Sequence, residues 1–289
     1  CMRVSPSQLK VWKECEQAWY YSYVDELKPK MARSRALDIG TYTHELMHVI
    51  YQYHKAFPNV KYGSDEVLDM IVARVKKDIE ERNLDTINIT AIVLKLITKY
   101  VTWQSARIDT GITVIGVEKE FKVQMTEDGL ILHGFIDLVY RDASGKIRIR
   151  DHKTSGQKNS WSEKKIKLNE QFLMYALAMT LELGEPVLPV EVNFVNTYQY
   201  ANNKTPPNNE LFNIYRHVHS TPVVDTYAQN LIHMHEQMVA VSEKKRVPIR
   251  NFHEGCGSCR FFELCNLETK GLDSTNTKSY LFKKVDKDG

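Results

Sequence analysis

The sequence predicts a mixed α/β (α+β) fold, with a small, mostly antiparallel sheet flanked by helices. Two features carry this. Residues 112–154 hold three β-rich runs divided by turn signals, and long helical patterns stand on both sides of them. The length, 289 residues, allows one large domain or two small ones. Hydrophobic content of 43% and charged content of 26% are ordinary for a globular chain. No apolar run approaches the roughly 18 residues that suggest a membrane span, and no signal-peptide pattern opens the chain, so the expected location is cytoplasmic, away from membranes. Cys1 stands before Met2, the expected natural start, and is set aside as an added residue. A net charge of +3 is too small to argue for nucleic acid by itself.

The elements follow in order. Ser5-Pro6-Ser7 reads as a helix start, and an aromatic-rich helix runs from it to about Val24. A second helix covers Gly40 to about Phe57, a charged third covers 64–82, and a fourth with a wide apolar stripe covers 88–108. The strands ITVIGVEKEFKVQM, LILHGFIDLVYRDA and KIRIRDHKT are separated by Glu127-Asp128-Gly129 and by Asp142 to Gly145. A helix over 162–183 stops before Gly184. The strand PVEVNFVNTYQY, the loop NNKTPPNN, a strand FNIYRHVHS and a long helix over 222–245 complete the pattern. The domain is expected to span 1–268, with a helical insertion at about 58–110 and a loosely ordered polar tail over 269–289.

HGFIDLVYRDASGKIRIRDHKT is the most informative stretch. With the turn centred on Ser144, Asp137 and Asp151 lie directly opposite on a two-stranded hairpin. Opposed residues share a face, with Cβ atoms about 4.5–5.5 Å apart. Lys153, two residues beyond Asp151, points to the same face. Two carboxylates this close resist joint ionisation unless a cation lies between them. Asp137 is also embedded in Phe135-Ile136-Asp137-Leu138-Val139, a poor place for an unpaired charge. Hard oxygen ligands with open positions suit Mg²⁺ or Mn²⁺. Spacing alone fits equally well an ordinary hairpin ending in an Asp–Lys salt bridge.

Gly134-Phe-Ile-Asp137 followed by Asp151-His152-Lys153 resembles the G-x-x-D and D-x-K motifs of the PD-(D/E)XK nucleases. More narrowly it resembles their RecB-like branch, which adds a helix histidine and a Q-x-x-x-Y motif. Gly40-Thr-Tyr-Thr-His44 and Gln171-Phe-Leu-Met-Tyr175 stand in the matching order. The resemblance implies a restriction-endonuclease-like core, with His44, Asp137, Asp151 and the backbone carbonyl of His152 on the metal. It further implies Lys153 as the catalytic lysine, with Gln171 and Tyr175 holding the site and the DNA backbone. Glu118 and Glu120, just upstream on the first strand, are candidates to add a carboxylate, with a structural role the preferred reading.

Cys15, Cys256, Cys259 and Cys265 are four thiols in a chain expected in a reducing compartment, where metal binding or reactivity is commoner than bridging. C-x2-C-x5-C with one distant cysteine resembles the iron–sulfur clasp of the AddB-type and CRISPR-associated nucleases, which implies a 4Fe–4S cluster on these four residues. Four-thiolate zinc is the alternative.

His44-Glu45-Leu46-Met47-His48 also spells the H-E-x-x-H of zinc peptidases, with His54 at the position of a third ligand. Tyr51 stands where the chain would need a turning glycine. In a continuous helix His54 lies about 15 Å along the axis from His44. Glu45, His48 and His54 are therefore expected on the helix surface, His54 partly exposed. The function expected is a metal-dependent DNA exonuclease acting on ends or single strands. The alternatives are a structure-specific endonuclease of the same fold and a catalytically silent iron–sulfur DNA-binding protein. Trp103, Arg107, Lys164, Lys165 and Lys167 are candidates to track the strand. Recombination or CRISPR-type protein partners are expected by analogy with the family.

Overall fold

The computed structural model describes residues 2–30, 35–82, 89–157, 160–197 and 206–284. Elements are numbered in chain order. The chain divides into two units, each discontinuous in sequence, where the sequence reading took 1–268 as a single domain.

One unit comprises 33–123 and 134–227. Its helices include α3 (Arg35–Ala56), α4 (Asp65–Arg82), α5 (Ile89–Lys99), α6 (Ala106–Ile108), α7 (Glu163–Lys167), α8 (Glu170–Leu183) and α9 (Asn208–Leu211). Its strands are β3 (Thr113–Gln124), most of β4 (Leu130–Arg141), β5 (Ile147–Ser155), β6 (Pro189–Asn196) and β7 (Phe212–Val218). β4 and β5 are antiparallel, β5 and β6 parallel, β6 and β7 antiparallel, and β3 also pairs with β4. The parallel pair follows from its long connection through α7 and α8, since parallel neighbours need a crossover.

The β4–β5 turn is built by Asp142. Its Oδ1 accepts from Ser144 N at 2.9 Å and from Lys146 N at 3.1 Å. Gly145 takes the left-handed conformation (φ 83°) that the turn requires. The register pairs Leu138 with Arg150 and Tyr140 with Arg148. One further residue along, it sets Asp137 opposite Asp151, as the turn-centre argument expects.

The segment expected as an insertion forms α4 and α5, which pack with α3. Leu46, Ile50, Val67, Ile71, Val93 and Ile97 are buried together between them. Past Lys99 the fourth helix widens into a π-helical stretch, Tyr100–Ser105, before α6. The helix expected over 162–183 is broken at Asn169. That side chain turns back to accept the Gln171 N–H at 3.0 Å and caps α8, while Gly184 (φ 70°) ends α8 in the left-handed conformation. Part of the strand and loop expected over 189–209 falls on 198–205, outside the described residues.

The other unit comprises 1–32, 124–133 and 228–289. β1 (Met2–Val4) runs parallel to the start of β4. Ser5 caps α1 (Pro6–Glu14) in a capping box with Gln8. The first helix does not continue to Val24. Cys15, extended at φ −168°, separates α1 from α2 (Glu16–Trp19), which runs into a π-helical turn, Tyr20–Val24. The tail expected to be loose is ordered through Lys284. After α10 (Thr221–Ser242) and α11 (Phe262–Thr269), α12 (Thr275–Leu281) leads into β8 (Phe282–Lys284), which pairs antiparallel with β2 (Leu27–Pro29). Phe282 explains the order: it is buried against Tyr21, Leu27, Phe261 and Leu264. No described helix is long and apolar enough to cross a membrane.

Candidate active site

Alternation along β5 sends Asp151 and Lys153 to one face and Arg150 and His152 to the other. On the first face Lys153 Nζ lies 2.8 Å from Asp151 Oδ2. Gln171 Nε2, from the first turn of α8, donates to Asp151 Oδ1 at 2.8 Å and to the Tyr175 hydroxyl at 2.7 Å. The i, i+4 spacing of Gln171 and Tyr175 on α8 makes that pairing possible. Across the hairpin, Asp137 Oδ2 accepts the His152 backbone N–H at 2.6 Å and lies 3.7 Å from His44 Nδ1. His44 reaches the strands because α3 crosses β5 at Gly40, where a Cβ would fall 2.8 Å from Thr154 Oγ1. The structure thus brings together His44, Asp137, Asp151, His152, Lys153, Gln171 and Tyr175.

The electrostatics are those of an under-compensated carboxylate pair. Burial pushes Asp137 well above the usual aspartate range, and the nearby Asp151 adds to the push. The His152 N–H and Lys153 offset only part of it. Burial works against the Lys153 ammonium, yet the Asp151 carboxylate raises it above its ordinary value, so it carries charge at neutral pH. Burial lowers His44 and leaves its imidazole neutral, a form that can bind a metal.

Among the described residues no group of three or more His, Cys, Asp or Glu side chains is placed to hold a metal ion. Two opposed carboxylates, a neutral imidazole and a main-chain carbonyl are nonetheless the hard, partly open set that suits Mg²⁺ or Mn²⁺.

Beside these residues opens a groove of about 860 Å³ lined in part by Gly40, His44, His48, Arg74, Glu118 and Thr154. Glu118 lines this groove. It holds a left-handed backbone (φ 45°) within β3 and is near enough to raise the Asp137 pKa. Gly116 two residues earlier was the available sequence signal for irregular backbone in that strand. Arg74 belongs to a helix that carried no motif. It is paired with Asp78 at 2.9 Å.

α3 continues through His54 to Ala56, so that histidine cannot share a zinc with His44 and His48, and the peptidase geometry is absent. His54 is not partly exposed as expected. It is 4% exposed, stacked on Tyr62, because the chain after α3 folds back over it.

The four cysteines lie in the other unit, all half-buried and unbridged. Cys15 sits at the α1–α2 break, and that break is strapped to residues 246–251. Gln17 N donates to Ile249 O at 3.1 Å, and Glu16 Oε2 accepts from Ile249 N at 2.9 Å and from Arg246 at 2.8 Å. Cys256 lies within a 3₁₀ turn, Glu254–Ser258, Cys259 follows it directly, and Cys265 lies in α11. Burial pushes the Cys265 thiol up. Arg250 opposes this, and Cys15 and Cys259 are close enough to contribute to the rise.

A mixed sheet carrying two opposed aspartates and a lysine on one hairpin defines a nuclease-type α/β core. The chain belongs to the PD-(D/E)XK nuclease superfamily, whose family model matches residues 3–266. Among solved structures it is similar to a provisionally named exonuclease from Eubacterium rectale, at 13% identity and a TM-score of 0.54, covering 90% of this chain and 86% of that one. It also matches, more remotely, an alkaline exonuclease from Laribacter hongkongensis, at 12% identity and a TM-score of 0.30, over 54% of this chain and 71% of the other. No curated protein matches.

Proposed function

We propose that this chain hydrolyses DNA phosphodiester bonds with Mg²⁺ or Mn²⁺ and acts as an exonuclease on ends or single strands. The observation that carries the reading is the half-buried Asp137 opposite the buried Asp151, beside a charged Lys153 at an open groove. Asp137, Asp151, the His44 imidazole and the His152 carbonyl would hold the ion. Once bound it would polarise the phosphate and lower the pKa of the attacking water. Lys153, kept as an ammonium by Asp151, stabilises the charge that develops on the phosphoryl oxygens. Gln171 fixes the Asp151 carboxylate through Oδ1, and Tyr175 holds the amide of Gln171 in turn.

Exonuclease rather than endonuclease action is supported by the name of the Eubacterium rectale relative. The candidate strand track also gains substance. The Arg107 guanidinium lies 4.4 Å above the Trp103 ring, and both line a hollow with Phe212, Asn213 and Arg216. Lys164, Lys165 and Lys167 are exposed on α7. End-labelled single- and double-stranded DNA, incubated with Mg²⁺ or Mn²⁺, tests the reading. Release of nucleotides by the native protein and none by Asp151→Ala is expected. Equal cutting of covalently closed circles would indicate the endonuclease alternative, and metal-dependent binding without cleavage the silent one.

Cys15, Cys256, Cys259 and Cys265 are proposed to hold a 4Fe–4S cluster as a structural staple. Four unbridged thiols in one unit, with Cys15 and Cys259 near enough to add to the rise of the Cys265 thiol, support this reading. Anaerobically purified protein should be brown, with broad visible absorption. A colourless protein holding zinc would assign the thiols to the alternative metal.

A further inference from the structure

The second face of β5 holds a buried polar network that the proposed reaction does not use. Arg150 is 0% exposed. Its guanidinium meets Asp109 Oδ1 at 2.6 Å and Glu191 Oε2 at 2.9 Å, and it donates to the Tyr51 hydroxyl at 3.2 Å and the Tyr140 hydroxyl at 3.1 Å. Glu191 is its direct neighbour on β6, and Asn193 is the direct neighbour of His152. Arg150 and His152, the two back-facing residues that flank Asp151, are therefore tied into one cluster.

Every donor in the path from Asp109 to His152 is fixed by the chemistry of its neighbour. Asp109 accepts from Arg150 through Oδ1, and the Tyr51 hydroxyl, 2.7 Å from Asp109 Oδ2, donates its one proton there. The Tyr51 oxygen is then an acceptor, taking Arg150 on one side and the Tyr100 hydroxyl at 2.6 Å on the other. Tyr100 must donate to Tyr51, so it accepts from the nearby amide of Asn193, which has to present nitrogen, at 2.8 Å. That orientation of Asn193 leaves its second N–H on His152 Nδ1, also at 2.8 Å. With His152 Nδ1 as the acceptor, the ring proton falls on Nε2, a buried atom with no hydrogen-bond partner among the described residues. The Tyr51 ring completes the clamp, stacked on the His152 imidazole at 5.5 Å and 17°.

We propose that the Asp109–Tyr51–Tyr100–Asn193 relay is a positioning device. It locks the His152 imidazole in the Nε2–H tautomer and in one rotamer, and so fixes the peptide between Asp151 and Lys153. The N–H of His152 is aimed at Asp137 Oδ2 and its carbonyl is the expected metal ligand, so the relay sets the spacing of the carboxylate pair from the far side of the sheet. All four residues are buried. Asp109 and Tyr100 come from the stretch read as a helical insertion, so that insertion acquires a role in ordering the hairpin. The functional consequence rests on the nuclease reading, whereas the tautomer does not.

Tyr100→Phe removes the one hydroxyl that dictates the Asn193 orientation while keeping the ring. Asn193→Ala removes the donor to His152 and leaves the tyrosine pair intact, so it serves if Tyr100→Phe does not fold. Long-range ¹H–¹⁵N spectra of the metal-free protein are expected to show His152 as Nε2–H in the native chain and as Nδ1–H or a tautomer mixture in either variant. The kcat with Mn²⁺ should fall about 10- to 100-fold, as for other residues that orient metal ligands, with KM for DNA within about twofold. An Nδ1–H ring in the native protein overturns the relay, as does a folded variant in which tautomer and kcat are both unchanged. If Asp151→Ala retained full activity, the nuclease assignment would fail while the spectra still decided the relay.

Discussion

The two faces of β5 each bury charge within one or two residues of each other, and they treat it in opposite ways. Behind the strand, Arg150 is met by two carboxylates and two tyrosine hydroxyls. Burial alone would penalise it, but Asp109 and Glu191 hold its guanidinium firmly charged. In front, Asp137 and Asp151 face each other with one lysine and one backbone N–H between them, and Asp137 is pushed well up. A compensated buried charge organises structure, and an under-compensated pair of like charges waits for a ligand.

The largest test of this contrast removes one residue from each face. Asp151→Ala should abolish cleavage, yet leave the thermal midpoint of the metal-free protein unchanged or raised, because it relieves repulsion. Arg150→Ala should do the reverse in stability. It strands two buried carboxylates and costs about 3–5 kcal/mol, measured by urea unfolding. Equal losses of stability from both variants would erase the distinction between the faces.

Lys153→Ala sharpens the comparison on the front face alone. Losing its stabilisation of phosphoryl charge should lower kcat about 10²- to 10³-fold, read in the end-labelled assay with KM followed in parallel. A variant with unchanged kcat would reduce Lys153 to the salt-bridge partner of Asp151.

A subtler effect appears in pH. The folded-state pKa of Asp137 is raised, so between the ordinary aspartate pKa and that raised value the native chain holds a proton that the unfolded chain has lost. Metal-free protein should therefore lose stability as pH rises through this window. Asp137→Asn should flatten the slope, and bound Mn²⁺ should reverse it because binding releases the proton. Denaturant midpoints across pH, with and without Mn²⁺, give the answer.

The smallest effect concerns the approach of α3 to the strands. Gly40→Ala sets a methyl 2.8 Å from Thr154 Oγ1, a side-chain atom able to move. A cost of about 1–3 kcal/mol is expected, with reduced Mn²⁺ affinity as His44 retreats from Asp137. Thr154→Ser in the same chain should not restore it, whereas Thr154→Ala should.

Much of the front face was legible in the sequence because it obeys local periods. A strand repeats every two residues and a helix every three or four, so Asp137, Asp151, Lys153, Gln171 and Tyr175 could be assigned to shared faces from spacing and a turn centre. Cys15, by contrast, was read inside a continuous helix, and its extended backbone follows from contacts with residues 246–251. The left-handed backbone of Glu118 had one faint sequence signal, Gly116 two residues before it. The tail looked loose because its polar composition hid the one phenylalanine, Phe282, that anchors it.

The sequence by itself therefore determined the hairpin register, the facing carboxylates and the helix pair that supports them, since each is set by residues near one another along the chain. The tertiary structure alone decided the back face. Asp109, Tyr51, Tyr100 and Asn193 come from separate elements. The polar alternation of Arg150 and His152 with Glu191 and Asn193 was the only trace of their network, and donor directions have meaning only once the partners are in place.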